Sequence, residues 1–382
     1  MSIMLPSLNS ASLSLADVLP SCLSSLGMAE MPNNLDLPQA NSAVVVLVDG
    51  LGSQNLTSAG AHARFLIKNS SAFPTLNTVF PSTTASALAS LTTGTTPGQH
   101  GMTGYKVRHP ETGEVLNLLT GLGVLTDLSS WMSVKPLYEV AVVNGISPTV
   151  VAHPRFAETP LTQLIHAGAV QLGAKSLDDR VQAVLNTLLE PGQHLVVLYV
   201  SELDELAHNK GFSSPEWAAA LESLDGALKY LSEQLPTDVG MIVTADHGVL
   251  DVPPSKHFLY GTDTEHMQFI SQVGGEPRCL QLYFSDDASP EQRAETLEVW
   301  RRDWSELALV MSKDDVKEVG LYGLVSPVSE GRLGDVFVLA KKDVVFYDER
   351  DLTLKGRNMI GQHGGVSPTE MTIPGIRLGA YA

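Results

Sequence analysis

The sequence predicts an α/β fold in which a mainly parallel central sheet is flanked by helices. Short runs of β-branched and aliphatic residues recur along the chain, each run is continuous rather than alternating, and helix-like segments separate them. Continuous apolar strands are typical of a sheet that is buried on both faces. With 382 residues, of which 43% are hydrophobic, the chain can bury a full core.

Four runs carry the strand prediction, and three segments carry the helix prediction. The strong strands are AVVVLV at 43–48, HLVVLYV at 194–200 and GMIVT at 240–244, and SPTVVA at 147–152 is a weaker one. The predicted helices are 86–91, which is rich in Ala and Ser, 177–189 and 215–234. Strands that alternate with helices in this order indicate parallel pairing.

The pattern of predicted strands and helices changes beyond residue 261. A strand-like CLQLYF at 279–284 precedes a charged helix predicted at 290–309, and strands are expected at 335–340 and 343–347. We therefore expect a catalytic domain made of residues 1–261 plus 356–382. Residues 262–355 would form a small α/β cap inserted into it.

The charge and the cysteines exclude several classes of protein. With 24 Lys+Arg against 42 Asp+Glu, the net charge is −18, which argues against binding to a nucleic-acid backbone or to an anionic membrane. Cys22 and Cys279 lie far apart, and we expect free thiols. No Lys or Arg precedes Arg64, and no apolar run approaches the ~20 residues that span a bilayer. These features predict a cytoplasmic protein of undetermined oligomeric state.

Each strong strand ends in residues that can bind a metal ion. The first runs into Asp49, the second is followed by Asp204 and His208, and the third runs into Asp246 and His247. The carboxyl ends of parallel strands meet at one edge of a sheet, so these side chains should converge. Aspartate and neutral histidine suit Zn²⁺ or a similar divalent ion.

A sixth candidate ligand, His363, lies in the sequence GQHGG near the end of the chain. With it there are enough ligands for two metals. Each piece alone also has an ordinary explanation: an Asp-Gly turn, a loop, or a solvated helix face. Their occurrence together favours a metal centre.

A nucleophile is available in the segment 80–105. Thr83, Thr84 and Ser86 lie where a helix of small residues begins. A hydroxyl there faces free N–H groups and the positive end of the helix dipole, which favours an alkoxide and a phosphoryl group. The alternative is an ordinary helix cap.

The motifs of the chain are, in order, the strand-end Asp, PSTT, TG, PxxHG, Asp-x-x-x-His, Asp-His-Gly and the late His-Gly-Gly. The order of these motifs along the chain resembles that of the alkaline phosphatase superfamily. The type I phosphodiesterase/nucleotide pyrophosphatase family is the most similar. The resemblance implies a hydrolase with two metal ions, zinc being the usual one. One ion would be held by Asp204, His208 and His363. The other would be held by Asp49, Asp246 and His247, with Thr84 bridging towards it.

The resemblance also selects the nucleophile and shows one departure. The family's threonine lies ten residues before the Gly of its TG pair, and counting back from Gly94 gives Thr84. Thr83 then becomes a capping neighbour. Ala87 stands where nucleotide pyrophosphatases commonly have an Asn that holds a phosphoryl oxygen. The backbone N–H of Ala85 is one candidate replacement donor, and Tyr105 or Lys106 is another candidate.

The predicted function is metal-dependent hydrolysis of a small phosphorylated substrate through a phospho-threonine intermediate. The alternatives are a phosphomonoesterase or phosphomutase of the same superfamily, and a metal-binding protein without catalysis. Two divalent ions would more than balance the three aspartates, so a phosphate could bind locally despite the acidic chain.

Overall fold

A computed structural model describes residues 12–70, 75–262, 264–351 and 356–382. The strands, in chain order, are β1 (Ser42–Val48), β2 (Leu76–Asn77), β3 (Lys106–Arg108), β4 (Val115–Asn117), β5 (Ile146–Ala152), β6 (Val170–Gly173), β7 (Gln193–Val200), β8 (Val239–Thr244), β9 (Leu250–Asp251), β10 (His257–Tyr260), β11 (Ile270–Glu276), β12 (Cys279–Phe284), β13 (Ala308–Ser312), β14 (Val336–Ala340), β15 (Val345–Asp348), β16 (Gly361–Gln362), β17 (Thr372–Ile373) and β18 (Ile376–Gly379).

The helices surround these strands. The α-helices are α1 (Val18–Ser25), α2 (Ser53–Ser58), α3 (Arg64–Ser70), α4 (Thr84–Thr93), α5 (Pro97–His100), α6 (Leu137–Val143), α7 (Pro160–Ile165), α8 (Leu177–Leu188), α9 (Glu202–Lys210), α10 (Pro215–Gln234), α11 (Thr264–Met267), α12 (Pro290–Trp304), α13 (Lys313–Glu318), α14 (Pro327–Glu330) and α15 (Pro368–Met371). Short 3₁₀ helices lie at Leu15–Asp17, Gly60–His62, Leu122–Val124, Ser129–Trp131, Pro154–Phe156, Pro254–Lys256 and Gly356–Asn358.

The central sheet has six strands in the order β18-β8-β1-β7-β5-β6. All neighbours pair in parallel except β18, which is antiparallel to β8. Every residue of β1 and β8 is buried, as expected for continuous apolar strands covered on both faces. The prediction of a mainly parallel α/β fold is confirmed.

The strand order places the predicted ligands side by side. β1 lies between β7 and β8, with Val45 opposite both Val197 and Ile242. Because the three strands run in parallel, their carboxyl ends reach the same edge of the sheet. The residues that follow them therefore start from neighbouring positions.

Helix α4 begins near this edge of the sheet, and its small side chains allow close packing. All of its residues after Thr84 are buried, and the small side chains of Ala85, Ala87 and Ala89 let the helix pack closely. Gly94 ends it in the left-handed conformation, with φ 67°, as helix C-termini commonly do. The observed helix extends the predicted segment 86–91 at both ends.

A separate antiparallel sheet, β11-β12-β14-β13, lies in the later part of the chain. Helix α12 packs against β13, and Trp300 is buried in the core of this region. The helix predicted over 290–309 is wrong at its end. The helix stops at Trp304, and the apolar residues from Ala308 instead pair with β14.

Cys22 and Cys279 are free and buried, as expected. Burial raises the pKa of Cys22 to about 12, so its thiol stays protonated. In the described part of the chain, no helix combines the length and the hydropathy that crossing a bilayer requires. Residues 1–11, which carry part of the prediction about a signal sequence, lie outside the described residues.

Candidate metal centre

Two groups of three side chains meet at the carboxyl edge of the central sheet. One is Asp204, His208 and His363, which we call the first cluster. The other is Asp49, Asp246 and His247, the second cluster. In each group the ligand atoms lie within 4.8 Å of one another. The structure thus brings together all six residues that the sequence singled out as ligands.

The first cluster is built from one helix and one loop. Asp204 and His208 are one turn apart on α9, and His208 Nε2 lies 3.2 Å from Asp204 Oδ2. His208 Nδ1 lies 2.8 Å from the Gly361 carbonyl oxygen, which leaves Nε2 facing the cluster. His363 Nδ1 contacts the Ser82 carbonyl oxygen at 2.9 Å in the same way. Such outer hydrogen bonds fix the ring orientation of metal-binding histidines.

The residues of the second cluster lie within three positions of the ends of β1 and β8. His247 Nε2 lies 3.5 Å from Asp49 Oδ1 and 3.4 Å from Asp246 Oδ2. Asp246 Oδ1 accepts hydrogen bonds from the backbone N–H groups of Gly50 and His247, at 3.1 and 2.9 Å. The hydroxyl of Tyr199 donates to Asp49 Oδ2. These contacts hold one oxygen of each carboxylate and leave the other facing inward.

The two clusters are adjacent. The imidazole rings of His247 and His363 stack with their centroids 3.7 Å apart and their planes 12° from parallel. The rings of His208 and His363 lie 5.2 Å apart. A substrate held at this edge could therefore contact both clusters at once.

Buried oxygens without partners show that the donor set suits metal ions. Asp49 Oδ1, Asp204 Oδ1 and Asp246 Oδ2 are buried and have no hydrogen-bond partner. An unpaired buried carboxylate oxygen is costly, and a bound cation removes that cost. Aspartate oxygens combined with imidazole nitrogens are the ligands that Zn²⁺ and similar ions take. The residues present fit two divalent ions.

The electrostatics of the aspartates reflect their burial. Burial, followed by the charges of Asp246 and Asp204, raises the pKa of Asp49 well above its usual range. Burial raises the pKa of Asp246 to about 6. Asp204 differs: burial acts to raise its pKa, but the opposing charge and hydrogen bond of His208 lower it overall. Three carboxylates this close favour a cation between them.

Two of the three histidines in the clusters, His247 and His363, are neutral. Burial lowers the pKa of His247 to about 4 and that of His363 to about 3. For His208, burial acts to lower the pKa, but Asp204 raises it overall. A neutral imidazole offers the nitrogen lone pair that a metal needs.

Thr84 is the first residue of α4, and its hydroxyl lies beside the second cluster. Thr84 Oγ1 is 3.2 Å from His247 Nε2. Ala85, the proposed backbone donor, is in the first helical turn, where N–H groups have no partner within the helix. Thr84 therefore lies where the sequence predicted a nucleophile.

The sequence also singles out Thr83, Tyr105 and Lys106 near the nucleophile, and their surroundings differ from those of Thr84. The Thr83 backbone occupies the cap position, but its side chain makes no capping hydrogen bond. Burial raises the pKa of the Glu276 carboxyl well above its usual range, and the Thr83 hydroxyl acts to lower it. Lys106 is exposed at the start of β3, and Tyr105 beside it is half-buried.

Sequence reasoning missed two residues that support the site. Tyr199 binds Asp49 from the adjacent strand. Ser82 Oγ donates to the Gly365 carbonyl oxygen at 2.8 Å and accepts from the Gly364 N–H at 3.1 Å, which fixes the loop of His363. Ser82 belongs to the PSTT motif, so its position in the sequence could have identified it as a residue of the site. Tyr199 is part of an apolar strand run, and nothing in that pattern sets it apart.

A cavity of about 530 Å³ opens beside the clusters. Thr84, Asp49 and Asp204 are part of its lining. The cavity gives a bound ester direct access to the threonine hydroxyl and to one aspartate of each cluster.

The family model described as type I phosphodiesterase/nucleotide pyrophosphatase matches residues 43–366 of the chain. The protein is a hydrolase that acts on phosphoric ester bonds. It belongs to the type I phosphodiesterase/nucleotide pyrophosphatase family, and the resemblance noted from its motifs is confirmed. No curated protein sequence matches the chain.

Solved structures share the fold at low identity. Murine ectonucleotide pyrophosphatase/phosphodiesterase 5 superposes with a TM-score of 0.67 at 18% identity, covering 87% of each chain. An inactive variant of that murine protein in complex with AMP gives 0.65 at 18% identity, again over 87% of each chain. The human protein gives 0.64 at 16% identity, over 88% of this chain and 87% of the other.

Proposed function

We propose that the protein hydrolyses a phosphoric diester with Thr84 as the nucleophile and two divalent metal ions, zinc being the preferred metal. The observation that carries this proposal is the 3.2 Å contact between Thr84 Oγ1 and His247 Nε2, at the helix start beside both clusters. When bound, the two ions would lower the pKa of the hydroxyl and offset the charge of the phosphoryl group.

The chain's own residues support a reaction in two steps. Thr84 Oγ1, having lost its proton, attacks phosphorus, the bond to the leaving oxygen breaks, and a phosphoryl-threonine forms that still carries the second ester group. Water then attacks phosphorus, the bond to Thr84 Oγ1 breaks, and the threonine hydroxyl is restored. Free N–H groups of the first turn of α4, including that of Ala85, are placed to donate to a phosphoryl oxygen.

The cavity supports a diester over a monoester. Among the described residues that line it, Arg155 is the one Lys or Arg side chain, and it forms an ion pair with Glu205. A monoester site would need further cations for the additional phosphate charge. An organic substituent on phosphorus suits this cavity better. AMP is the ligand in the complex of the inactive murine relative, so it is one small phosphorylated compound to test for binding, not for cleavage.

The test compares bis-p-nitrophenyl phosphate with p-nitrophenyl phosphate, using enzyme loaded with Zn²⁺ or Mn²⁺. We expect the diester to be cleaved with the higher kcat/KM. Preference for the monoester would favour a phosphomonoesterase, and tight metal binding without turnover would favour a non-catalytic protein. Thr84→Ala should abolish turnover while the metals stay bound, and Thr83→Ala is the matched control for the neighbouring hydroxyl.

Two further predictions remain as proposals. We place the catalytic domain at residues 1–261 plus 356–382 and the cap at 262–355. Residues 263 and 352–355, which include the second boundary, lie outside the described residues. We also propose a cytoplasmic location. Fractionation of cells that produce the full chain tests the location.

A further inference from the structure

The cavity beside Thr84 has the dimensions of a ligand pocket. Its volume of about 530 Å³ lies within the range of about 300–1,000 Å³ that such pockets span. It reaches Asp49 in one cluster and Asp204 in the other. A substituent attached to a phosphorus atom at the metal centre can therefore extend into it.

Helix α4 forms one wall of the cavity with aliphatic side chains. Leu88 and Leu91 follow Thr84 by one and two turns, so the three residues share a helical face, and all three line the cavity. From Thr84 to Leu91 the helix rises about 10 Å, so this wall leads away from the reacting hydroxyl into the interior. Leu161 and Ile165, one turn apart on α7, add to the lining.

The central sheet provides further apolar lining. Leu47 on β1 and Val197 on the adjacent β7 both contribute, and both are buried. The polar groups in this part of the lining are uncharged. Burial lowers the pKa of His166 to about 4, so its imidazole is neutral at physiological pH. Other uncharged polar side chains of the lining near it in sequence are Thr159, Thr162 and Gln171.

The charged side chains of the lining that lie outside the two clusters are already paired. Arg155 forms an ion pair with Glu205, the neighbour of Asp204 on α9, and donates to Ser201 Oγ at 3.0 Å. A charged substituent would therefore find no unpaired countercharge in the described lining other than the metal centre itself. Burying such a group without a partner is costly.

The aromatic rings of the lining are also engaged. The rings of Phe156 and Tyr199 meet edge to face at 5.5 Å and 70°. The Arg155 guanidinium lies 4.6 Å from the centre of the Phe156 ring, and Tyr199 is tied to Asp49 through its hydroxyl. A nucleobase is usually held by stacking on an aromatic face. Aliphatic side chains dominate this cavity instead.

We propose that the cavity binds an aliphatic substituent of the phosphoric ester, so that the substrate is an alkyl phosphodiester rather than a nucleotide. This inference rests on the proposed hydrolase function. Burial of a methylene group favours binding by at most about fourfold, so several methylenes give a large preference. The aliphatic walls along α4 and α7 determine that preference.

The test is a series of p-nitrophenyl alkyl phosphates with methyl, butyl and hexyl groups, together with thymidine 5′-p-nitrophenyl phosphate. The zinc-loaded enzyme should show kcat/KM at least about tenfold higher for the hexyl than for the methyl ester, and higher for the hexyl than for the thymidine ester. A flat or falling series, or preference for the thymidine ester, overturns the inference. Failure to cleave any ester, including bis-p-nitrophenyl phosphate, overturns the proposed diester hydrolysis instead.

A binding measurement tests the cavity without turnover. Hexylphosphonate should bind the zinc-loaded enzyme at least about tenfold more tightly than methylphosphonate in calorimetric titrations. Equal affinities would contradict an aliphatic pocket, whether or not the esters are cleaved.

A pair of variants locates the preference. Leu161→Trp fills part of the cavity and should reduce the hexyl-to-methyl ratio of kcat/KM towards one. Val143→Trp, at an 86% exposed position of α6, should keep the wild-type ratio. A wild-type ratio in folded Leu161→Trp would place the alkyl group elsewhere. If Leu161→Trp does not fold, the phosphonate titration of the wild type decides.

Discussion

Arg278 and Glu370 form a buried bidentate ion pair, with Nε 2.9 Å from Oε1 and Nη2 2.7 Å from Oε2. Burial acts to raise the pKa of Glu370, but the charge of Arg278 lowers it overall. Glu370 Oε1 also accepts from the Gly365 N–H at 2.8 Å. The pair thus links the turn between β11 and β12 to the loop that carries His363.

Replacing one partner of this pair should destabilise the protein strongly. Arg278→Met leaves Glu370 as a buried charge without its partner, for which a loss of about 3–5 kcal/mol is expected. Urea unfolding of the metal-free protein measures this loss. Arg350→Met, which removes an exposed ion pair with Asp348, is the control and should cost less than about 1 kcal/mol. Equal losses of unfolding free energy in the two variants would mean that the buried pair stabilises the protein no more than the exposed pair does.

Tyr199→Phe should weaken metal binding without removing a ligand. The variant loses the hydroxyl that donates to Asp49 Oδ2. Loss of such an outer hydrogen bond typically costs about 10–100-fold in affinity. Competition with a zinc chelator measures the change. Tyr138→Phe is the matched control, because the Tyr138 hydroxyl is buried without a hydrogen-bond partner. An unchanged affinity in Tyr199→Phe would remove this tyrosine from the site.

His363→Ala should reduce the zinc content of the purified protein from about two ions to about one per chain, because the first cluster keeps only two protein ligands. Elemental analysis gives the content directly. The control is His257→Ala, a histidine whose ring packs 5.1 Å from that of Tyr347 and belongs to neither cluster. Two retained ions in His363→Ala would contradict the assignment of this ligand.

His100 should make the fold sensitive to acid. Its Nε2 lies 2.8 Å from Ser90 Oγ and its Nδ1 accepts from the Met102 N–H, so the buried ring is held neutral. Burial and the charge of Arg332 lower its pKa to about 3, against about 6.5 in the unfolded chain. Between these values only the unfolded state binds the proton, so stability falls as the pH falls.

The measurement for His100 is the free energy of unfolding from pH 6 to pH 4 in the presence of a chelator. In wild type its slope should exceed that of His100→Gln by up to about 1.4 kcal/mol per pH unit. The chelator keeps both proteins free of metal, so the metal ligands titrate alike in the two proteins and their contribution cancels in the comparison. Identical slopes would show that His100 does not govern the acid response.

The sequence predicted the central fold well because each strand signal was local. The run at 43–48 is continuous and apolar, and the strand Ser42–Val48 is buried throughout. The error at the end of α12 has a local cause too. No glycine or proline separates Trp304 from the strand that begins at Ala308, and only pairing with β14 decides the boundary.

The ligand positions were predictable for a related reason. Asp49 lies one residue and Asp246 two residues beyond the end of a strand, so the parallel topology alone brings them together. The supporting contacts were not predictable. Arg278 and Glu370 are separated by 92 positions, and their pairing depends on how the two sheets are placed in three dimensions. The same holds for the cavity, whose lining comes from several separate elements.

The central claim is that Thr84 carries the phosphoryl group during turnover. The most direct test is rapid acid quenching of the zinc-loaded enzyme during cleavage of bis-p-nitrophenyl phosphate, followed by mass spectrometry of the peptide that contains Thr83 and Thr84. The account predicts a p-nitrophenylphosphoryl group on Thr84 and its absence in Thr84→Ala. A modified Thr83, or full turnover by Thr84→Ala, would contradict it.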